Sequence, residues 1–380
     1  MALKTVQVQV ADGAYPIIID DGGLAGLGAA VSQLDGSKRV VLVTNPVVGA
    51  LYAMDAQRSL ERAGIQVDVV EIPDGEAHKT VSTWSRLVDE LLDVRLTRAT
   101  PVVALGGGVT GDIAGFAAAT VLRGVPLIQV PTTLLAMVDS AVGGKTGVNT
   151  HHGKNLVGAF HQPRLVFAPL ATLRTLPPDE LRAGLAEVVK HAVIGDSELW
   201  DLLEARGPAI LDGLDADGLA ECIARSAVLK ARIVSEDERE AGVRTLLNFG
   251  HTVGHAVEAV LRGRIRHGEC VALGMRAELH HAVDRSRTPP EVAARMDVLL
   301  DRLGMPMYIP GPARQSDLVS AAGHDKKRIH ATIRLPVVDR IGSARCIVVQ
   351  PREVPEMLQY LDVAAPSGER MNAVTMSETR

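Results

Sequence analysis

The sequence predicts an α/β protein in which an N-terminal domain with a parallel sheet is followed by a mainly α-helical domain. Up to about residue 170, short runs of β-branched residues alternate with helix-length segments. That alternation is typical of a parallel sheet covered by helices on both faces. Beyond residues 170–178 nearly every segment has helical periodicity. At 380 residues the chain is also long enough for two domains.

The elements of the first half are predicted from alternating or continuous apolar runs and from amphipathic spacing. The predicted strands are 5–10, 39–44, 66–72, 101–105 and 126–130, and the predicted helices are 80–94, 110–122 and 132–142. The change of pattern near residue 172 predicts an N-terminal domain of residues 1–172.

The second domain is predicted to span residues 173–364 and to consist mainly of helices. The predicted helices are 179–193, 217–235, 243–261, 268–283 and 291–303, and two short strands are predicted at 333–338 and 346–349. The last stretch, 365–380, is polar and has no periodicity, so a disordered tail is expected there.

Composition excludes several classes of partner. The net charge of −5 gives no electrostatic reason to expect binding to nucleic acid or to an anionic membrane. No apolar stretch approaches the roughly 18–20 residues that span a bilayer, and the first residues lack the apolar region of a secretory signal. Three widely spaced cysteines favour a reducing compartment. A cytoplasmic location is therefore expected.

A glycine-rich segment, Leu105-Gly106-Gly107-Gly108-Val109-Thr110-Gly111-Asp112, follows a predicted strand and opens a predicted helix. Glycine lets backbone N–H groups approach a phosphate closely, and a helix N-terminus favours an anion. The acidic residue that a Rossmann domain has about 20 positions later is replaced by Gln129-Val130-Pro131-Thr132-Thr133. The segment predicts a nucleotide or phosphate loop of another kind, or alternatively a tight turn.

Two lysines lie in a second glycine-rich region, in Val142-Gly143-Gly144-Lys145-Thr146 and Gly153-Lys154-Asn155. The P-loop pattern fails because Asp139 stands where its first glycine would be. A lysine binds phosphate as a point charge. Lys145 and Lys154 are therefore candidates for binding a substrate phosphate or a cofactor, and solvated surface lysines are the alternative.

Candidate metal ligands lie in the helical half. His251 and His255 are four residues apart and share a helix face, His267 follows them, and Glu187 lies on an earlier helix. One carboxylate with two or three imidazoles suits Zn²⁺ with an open position. Spacing alone favours His251 and His255 as the ligand pair, but the missing Glu at position 252 argues against a zinc protease. Hydrogen-bonded structural histidines are the alternative.

Basic residues near the histidines predict an anionic substrate. The predicted helix 243–261 would place Arg244, Asn248 and His251 on one face, and Lys230 lies on the preceding helix. Arginine binds carboxylates with two parallel hydrogen bonds. A solvated helix face is the alternative, and a surface turn explains Lys326 and Lys327 equally well.

These segments together resemble the 3-dehydroquinate synthase family of sugar phosphate cyclases across about residues 1–362. The motifs occur in this order: Asp74-Gly75-Glu76 with Lys79, Gly106-Gly107-Gly108-Val109 with Gly111-Asp112, Arg123-Gly124, Val130-Pro131-Thr132-Thr133, Val142-Gly143-Gly144-Lys145-Thr146, Gly153-Lys154-Asn155, Thr175-Leu176-Pro177, Glu187-Val188-Val189-Lys190, Leu247-Asn248 with Gly250-His251 and Gly254-His255, His267-Gly268-Glu269, and Asp325-Lys326-Lys327.

The resemblance implies a set of metal ligands and substrate-binding residues. Glu187, His251 and His267 would bind Zn²⁺, or Co²⁺ in its place, and His255 would lie beside the substrate. This set replaces the pair that spacing favours. Arg244 and Lys230 would bind a substrate carboxylate. The other catalytic residues would be Lys145, Asn155, Lys190, Asn248, His255 and one of Lys326 and Lys327, most of them around a substrate phosphate. Arg123 would reach into a neighbouring subunit's site, which implies a homodimer.

The resemblance also implies an NAD site at the glycine-rich segment, with Glu76 and Lys79 towards the adenosine end. The cofactor-binding residues would be Asn45, Asp74, Glu76, Lys79, Gly107, Gly108, Val109, Thr110, Gly111, Asp112, Thr132, Thr133, Asp139, Lys145, Lys154, Thr172, Leu173, Arg174 and Thr175.

The family reaction converts 3-deoxy-D-arabino-heptulosonate 7-phosphate to 3-dehydroquinate and phosphate by transient oxidation with NAD, phosphate elimination, re-reduction and aldol closure. A small sugar-acid phosphate is therefore the expected substrate. One alternative is a related cyclase acting on an amino analogue or on sedoheptulose 7-phosphate. The others are a metal-dependent alcohol dehydrogenase, which would release NADH, and a non-catalytic binding protein.

Overall fold

A computed structural model describes residues 4–34, 38–311, 313–326 and 332–362, with the backbone alone at 323–326. It contains two compact units, Met1–Arg244 and Thr245–Arg380, which we call the first and the second unit. Lys327 and the predicted tail 365–380 lie outside the described residues, as does the side chain of Lys326. The predicted α/β class is confirmed. The compact units divide later along the chain than the domain boundary predicted at residue 172, which stays a prediction.

The first unit is built on a sheet of seven strands in the order β1-β2-β9-β6-β5-β3-β4. All neighbours in this sheet are parallel except the hairpin of β1 and β2. The strands are β1 Lys4–Val10, β2 Gly13–Asp20, β3 Arg39–Thr44, β4 Gln66–Glu71, β5 Val102–Gly106, β6 Leu127–Pro131 and β9 Leu165–Pro169. The central strands β5, β6 and β9 are buried along their whole length, as expected for a sheet covered on both faces.

Seven helices belong to the described part of the first unit. They are α1 Leu27–Ser32, α2 Pro46–Arg62, α3 Val81–Asp93, α4 Gly108–Thr120, α5 Pro178–Gly195, α6 Ser197–Leu211 and α7 Ala216–Glu236. The last of them, α7, packs along β1 and also contacts α5 and α6. These contacts explain why the first unit extends through α7 to Arg244, beyond the point where the sequence turns helical.

Two segments of the first unit differ from the predictions. The segment 132–142, predicted as an α-helix, contains a five-residue π-helix at Ala136–Ser140. The glycine-rich region after it, which was not assigned any element, forms an antiparallel hairpin of β7 Lys145–Thr150 and β8 Gly153–Phe160. The strands approach closely at Gly147 and Gly158, where a Cβ on Gly158 would lie 2.1 Å from the carbonyl oxygen of Thr146. Periodicity did not indicate a strand here because the glycines interrupt it.

The second unit contains α8 His251–Leu261, α9 His267–Asp284, α10 Pro290–Arg302, α11 Gln315–Lys326, α12 Glu353–Met357 and the hairpin of β10 Ile333–Arg340 with β11 Ser343–Val349. The prediction of one helix from 243 to 261 is wrong. Residues Val243–Asn248 form a 3₁₀ helix, and Gly250 then adopts a left-handed φ of +78° that starts α8. Arg244 and Asn248 are therefore not on the helix of His251.

Helices α8 and α9 pack through glycines. A Cβ at Gly254 would lie 2.9 Å from the carbonyl oxygen of Cys270, and one at Gly274 only 1.9 Å from the carbonyl oxygen of Gly250. The buried carboxylate of Glu278 on α9 accepts hydrogen bonds from the N–H groups of Gly250 and Val253, at 2.9 and 3.3 Å. Glu278 thus satisfies N-terminal donors of α8 and fixes the two helices against each other. No helix within the described residues is long and apolar enough to cross a membrane.

We predict that Gly274→Ala lowers the free energy of unfolding by about 2–3 kcal/mol, because the new methyl group overlaps the backbone of α8. Urea denaturation measures the change. Gly49→Ala on α2 is the matched control, since its Cβ would meet only side-chain atoms of Glu71 and Thr44, at 3.1 Å, and alanine is the better helix former. Equal losses in both variants would contradict the close packing of α8 on α9.

Candidate active site

The glycine-rich segment lies at the point where the sheet reverses its strand order. Strand β3 pairs with β4 on one side and with β5 on the other, so the carboxyl ends of β3 and β5 are adjacent. Asn45 follows β3 and donates from Nδ2 to Oγ1 of Thr110, at 3.3 Å. The N–H of Thr132, after β6, donates to the carbonyl of Gly106 at 2.9 Å. Open α/β sheets bind nucleotides at such a switch point.

The loop itself is a strand-to-helix turn that ends β5 and begins α4. Gly107 is the N-cap residue of α4, and the N–H of Gly111 makes a helical bond to its carbonyl at 3.0 Å. A Cβ at Gly106 would lie 2.6 Å from Oγ1 of Thr110, and one at Gly108 would lie 2.9 Å from Oγ of Ser140. The glycines thus let the turn pack closely against Thr110 and Ser140, and the first N–H groups of α4 lie at a helix N-terminus, which favours an anion.

A polar group surrounds Lys79, which is 4% exposed. Its ammonium contacts the carboxylate of Asp112, on α4, and lies 2.5 Å from Oδ1 of Asn155, on β8. Glu76 accepts a hydrogen bond from Asn149 at 2.7 Å and lies 3.4 Å from the ammonium of Lys154. Four cofactor candidates, Glu76, Lys79, Asp112 and Lys154, and one substrate candidate, Asn155, therefore share a cluster in which Lys79 links the hairpin to the glycine loop.

The predicted cofactor residues 172–175 lie on a 3₁₀ helix after β9. Tyr52, on α2, donates to the carbonyl of Thr172 at 3.2 Å and contacts the hydroxyl of Thr175. Leu173 is buried, and Arg174 is exposed. These bonds tie the segment to α2, whose N-cap residue is Asn45. The segment is thereby connected to the switch point.

Charged side chains are buried together between the π-helix, α5 and α7. Glu187 and Lys190, on α5, are 0% and 1% exposed and contact each other. The ammonium of Lys230 contacts both the carboxylate and the carbonyl of Asp139. Burial alone would raise the pKa of Asp139, but Lys230 and Lys190 hold it well below its usual range. The group therefore combines two carboxylates with two ammonium ions.

His191 completes this buried group. It is 0% exposed, and one of its nitrogens lies within 4.8 Å of carboxylate oxygens of both Asp139 and Glu187. Burial lowers the pKa of His191 to about 3, so the imidazole is neutral. The sequence drew no attention to this histidine, because it follows Lys190 in an apolar helix.

The turn at Gly143-Gly144 lies beside two predicted substrate-binding residues, Arg244 and Lys145. Arg244 is 2% exposed and donates from Nη2 to the carbonyl of Gly143 at 3.0 Å, while Nη1 contacts the carbonyl of Glu238. Lys145 follows the turn directly, and its ammonium contacts Glu240. Sequence reasoning missed Glu240, since it lies in a polar stretch that looks like a solvated turn. Its positive φ of 59° is visible only in the structure.

Three histidines cluster in the second unit. His251 and His255 lie one turn apart on α8 and His267 begins α9, with ring centroids 5.2, 5.4 and 5.9 Å apart. One nitrogen of each lies within 4.8 Å of the others. Nδ1 of His251 lies 3.1 Å from the carbonyl of Phe249, and Nδ1 of His267 lies 3.2 Å from a carboxylate oxygen of Glu258. Such partners orient the other ring nitrogen, Nε2, towards a metal.

Other predicted site residues are less closely tied to these groups. Arg123 is exposed at the end of α4 with a positive φ of 67°. Asp74 is exposed before the 3₁₀ helix that carries Glu76, and Val109 is half-buried in the first turn of α4. Asn248 ends the 3₁₀ helix before Gly250.

Comparison with known families identifies both halves of the chain. The family described as 3-dehydroquinate synthase N-terminal matches residues 69–183, and the one described as 3-dehydroquinate synthase C-terminal matches residues 184–328. The 3-dehydroquinate synthase of Pelotomaculum thermopropionicum is 45% identical over 343 residues, covering 90% of this chain and 92% of its own. That of Rhodospirillum rubrum is 49% identical over 331 residues, covering 85% and 86%.

Solved structures share the architecture. A 2-deoxy-scyllo-inosose synthase complexed with carbaglucose-6-phosphate, NAD⁺ and Co²⁺ matches with a TM-score of 0.83 and 27% identity, covering 94% of this chain and 99% of its own. The 2-epi-5-epi-valiolone synthase of Streptomyces hygroscopicus, with NAD⁺ and Zn²⁺ bound, matches with a TM-score of 0.81 and 29% identity, covering 94% and 98%. An iron-containing alcohol dehydrogenase, at 13% identity and a TM-score of 0.65, shares the fold alone and covers 95% and 99%.

We predict that Lys230→Met destabilises the protein by about 2–3 kcal/mol, because the half-buried Asp139 loses its closest ammonium partner. Thermal and urea unfolding measure the loss. The double variant Asp139→Asn with Lys230→Met should regain most of it, since no partnerless charge then remains at this pair. If the double variant is no more stable than Lys230→Met alone, the two side chains do not act as a buried ion pair.

Proposed function

This chain belongs to the 3-dehydroquinate synthase family, and we propose that it converts 3-deoxy-D-arabino-heptulosonate 7-phosphate to 3-dehydroquinate and phosphate. The observation that carries the proposal is the set of buried basic residues in the first unit, Lys190, Lys230 and Arg244. Each of these cations has an internal partner that a substrate anion could replace, which is Glu187 for Lys190, Asp139 for Lys230 and backbone carbonyls for Arg244. A substrate that bears both a carboxylate and a phosphate makes use of several of them at once.

The proposed substrate site assigns roles to Arg244, Lys230 and Lys145. Arg244 and Lys230 bind the carboxylate, for which the planar guanidinium supplies two parallel donors. Lys145 binds the phosphate, together with Asn155, Asn248, His255 and a lysine of the pair Lys326 and Lys327. The contact of Lys145 with Glu240 supports an anion-binding role, because the ammonium already attracts a carboxylate.

The proposed NAD site is the switch point of the sheet. Support comes from the glycine turn between β5 and α4, which only residues without a Cβ can form so tightly, and from the N-terminus of α4 that it precedes. Asn45, Thr110 and Thr132 fix the loop, and Lys79 with Glu76 would hold the adenosine end. The bound nicotinamide would supply a hydride acceptor that is restored in each turnover, so the chain's own task is to orient the ring and exclude water.

The proposed metal ligands are Glu187, His251 and His267, with His255 beside the substrate. The histidine cluster fits a metal, because His251 and His267 each direct Nδ1 to an oxygen and keep Nε2 for coordination. One carboxylate with two imidazoles is a common set for catalytic zinc. When bound, Zn²⁺ would supply Lewis-acid polarisation of a substrate hydroxyl. His255 would then donate a hydrogen bond to the substrate or accept one from it.

The proposed enzyme is a homodimer in which Arg123 extends into the neighbouring subunit's site. Arg123 is exposed, and both Leu122 and Arg123 adopt positive φ values, of 50° and 67°. A non-glycine residue in this region of φ/ψ space is strained. Strained backbone is found more often at functional positions, and an exposed side chain is accessible to another subunit.

The function is tested by incubating the purified protein with 3-deoxy-D-arabino-heptulosonate 7-phosphate, NAD⁺ and Zn²⁺. We expect phosphate release without accumulation of NADH, and inhibition by a metal chelator. Accumulating NADH would favour the alcohol dehydrogenase alternative. An absence of phosphate release from this substrate, together with release from its amino analogue or from sedoheptulose 7-phosphate, would place the chain with the related cyclases.

The metal assignment is tested by replacing individual histidines. His267→Ala should abolish zinc retention, because a ligand is lost, whereas His255→Ala should retain zinc and lose most of the rate. Metal content of the purified variants is measured by mass spectrometry, alongside phosphate release. Full zinc occupancy in both variants would show that the proposed ligand set is wrong.

A further inference from the structure

The orientation of Arg244 is set by backbone oxygens. Its Nη2 donates to the carbonyl of Gly143 at 3.0 Å, and its Nη1 contacts the carbonyl of Glu238. The backbone N–H of Arg244 donates to the carboxylate of Asp237 at 3.0 Å. Nε is buried and has no hydrogen-bond partner among the residues that the structure describes. The guanidinium is thus held by two Nη contacts, and Nε is left for an anion.

The backbone of Gly143 is held on both sides of its Cα. Its carbonyl accepts from Arg244, and its N–H donates to the hydroxyl of Tyr15 on β2 at 3.0 Å. Gly143 has a φ of +93°, and a Cβ there would lie 2.6 Å from Nη2 of Arg244 and 2.8 Å from Cγ2 of Val234. Only glycine therefore lets the turn and the guanidinium approach this closely.

Tyr15 is itself a fixed point. It is 2% exposed, on a strand that is hydrogen-bonded to neighbours on both sides, β1 and β9. Its hydroxyl accepts a hydrogen bond from the N–H of Gly143, which lies 128 positions later in the sequence. Burial raises the pKa of Tyr15 to about 12, so the hydroxyl stays protonated and the hydrogen bond to Gly143 does not change at working pH.

We propose that Tyr15 is a positioning residue that, through the backbone of Gly143, orients Arg244 for the substrate's carboxylate. The inference rests on the proposed function, because it assumes that Arg244 binds the carboxylate. Without the hydroxyl, the buried N–H of Gly143 has no acceptor, and the peptide between Val142 and Gly143 rotates to find one. That rotation changes the φ of Gly143, so the next peptide, which carries the Gly143 carbonyl, shifts and weakens one of the two contacts that orient the guanidinium.

The same turn links the carboxylate and phosphate ends of the substrate site. Gly144 and Lys145 follow Gly143, and the carbonyl of Gly144 accepts from the N–H of His161 at 2.8 Å. Lys145 is therefore held by β7 and by this bond, independently of Tyr15. A change at Tyr15 is expected to affect binding of the carboxylate and to leave binding of the phosphate unchanged.

The test is Tyr15→Phe, which removes one oxygen atom and keeps the ring in the core. Binding of two probes is measured by calorimetry on the zinc- and NAD-loaded protein. They are 3-dehydroquinate, which has the carboxylate without a phosphate, and inorganic phosphate. We expect the affinity for 3-dehydroquinate to fall and the KM of the substrate to rise, each roughly 3- to 10-fold, as for one lost hydrogen bond. The affinity for phosphate should be unchanged.

A double-mutant cycle separates positioning from a general structural role. In an Arg244→Lys background, Tyr15→Phe should produce no further loss in binding of 3-dehydroquinate, because the residue through which it acts is absent. Gly143→Ala should weaken that binding more than 10-fold, since its methyl group displaces the guanidinium. Gly213→Ala is the control, with a similar φ of +73° and no described atom within 4 Å of its Cβ.

Three results would overturn the inference. The first is a folded Tyr15→Phe protein with unchanged affinity for 3-dehydroquinate. The second is an equal loss for both probes, and the third is a loss that persists fully in the Arg244→Lys background. A wild-type protein that binds 3-dehydroquinate but releases no phosphate from the substrate would contradict the proposed function only, because the binding measurement does not depend on turnover.

Discussion

The structure of the first unit depends on charges that are buried in pairs. Glu187 with Lys190 and Asp139 with Lys230 lie between the π-helix, α5 and α7, and all but Asp139 are at most 5% exposed. Removing ions from water costs several kcal/mol each unless they are paired with good geometry. The π-helix, α5 and α7 can therefore pack only in the register that brings these four side chains together. This is the constraint that fixes where Lys190 and Lys230 point.

At the proposed substrate site, the consequence is that substrate binding would exchange ion pairs instead of creating them. Lys145 contacts Glu240, Lys230 contacts Asp139, and Arg244 donates to backbone carbonyls. A ligand must compete with these internal partners, so a single anionic group gains little free energy from any one of them. A ligand that carries a carboxylate and a phosphate at a fixed distance gains from several exchanges at once. Internal pairing thus favours a doubly anionic substrate over a singly charged one.

The sequence predicted the parts of the fold that local patterns determine. Strand 39–44 was predicted with the bounds that the structure has, and the glycine loop was placed correctly between β5 and α4. Long-range contacts could not be predicted from local sequence patterns. The break at Gly250 depends on Glu278, 28 positions away on α9, and the orientation of Arg244 depends on Gly143, 101 positions away. A helical pattern that runs through such a glycine predicts one helix, because periodicity does not register φ. No local sequence pattern indicated the contact of Glu240 with Lys145.

The metal candidates show why spacing alone could not choose ligands. His251 and His255 share a helix face, and spacing therefore favoured that pair. In the structure His267 joins them, because α9 begins beside α8 where Gly254 and Gly274 allow close approach. Three imidazoles within reach of one another leave the choice open. His251 and His267 each place Nδ1 near an oxygen, of the Phe249 carbonyl in one case and of the Glu258 carboxylate in the other. An acceptor there fixes the tautomer and exposes the lone pair of Nε2. The surroundings of each ring depend on the break at Gly250 and on the packing of α9, and neither of these can be predicted from the spacing of the histidines.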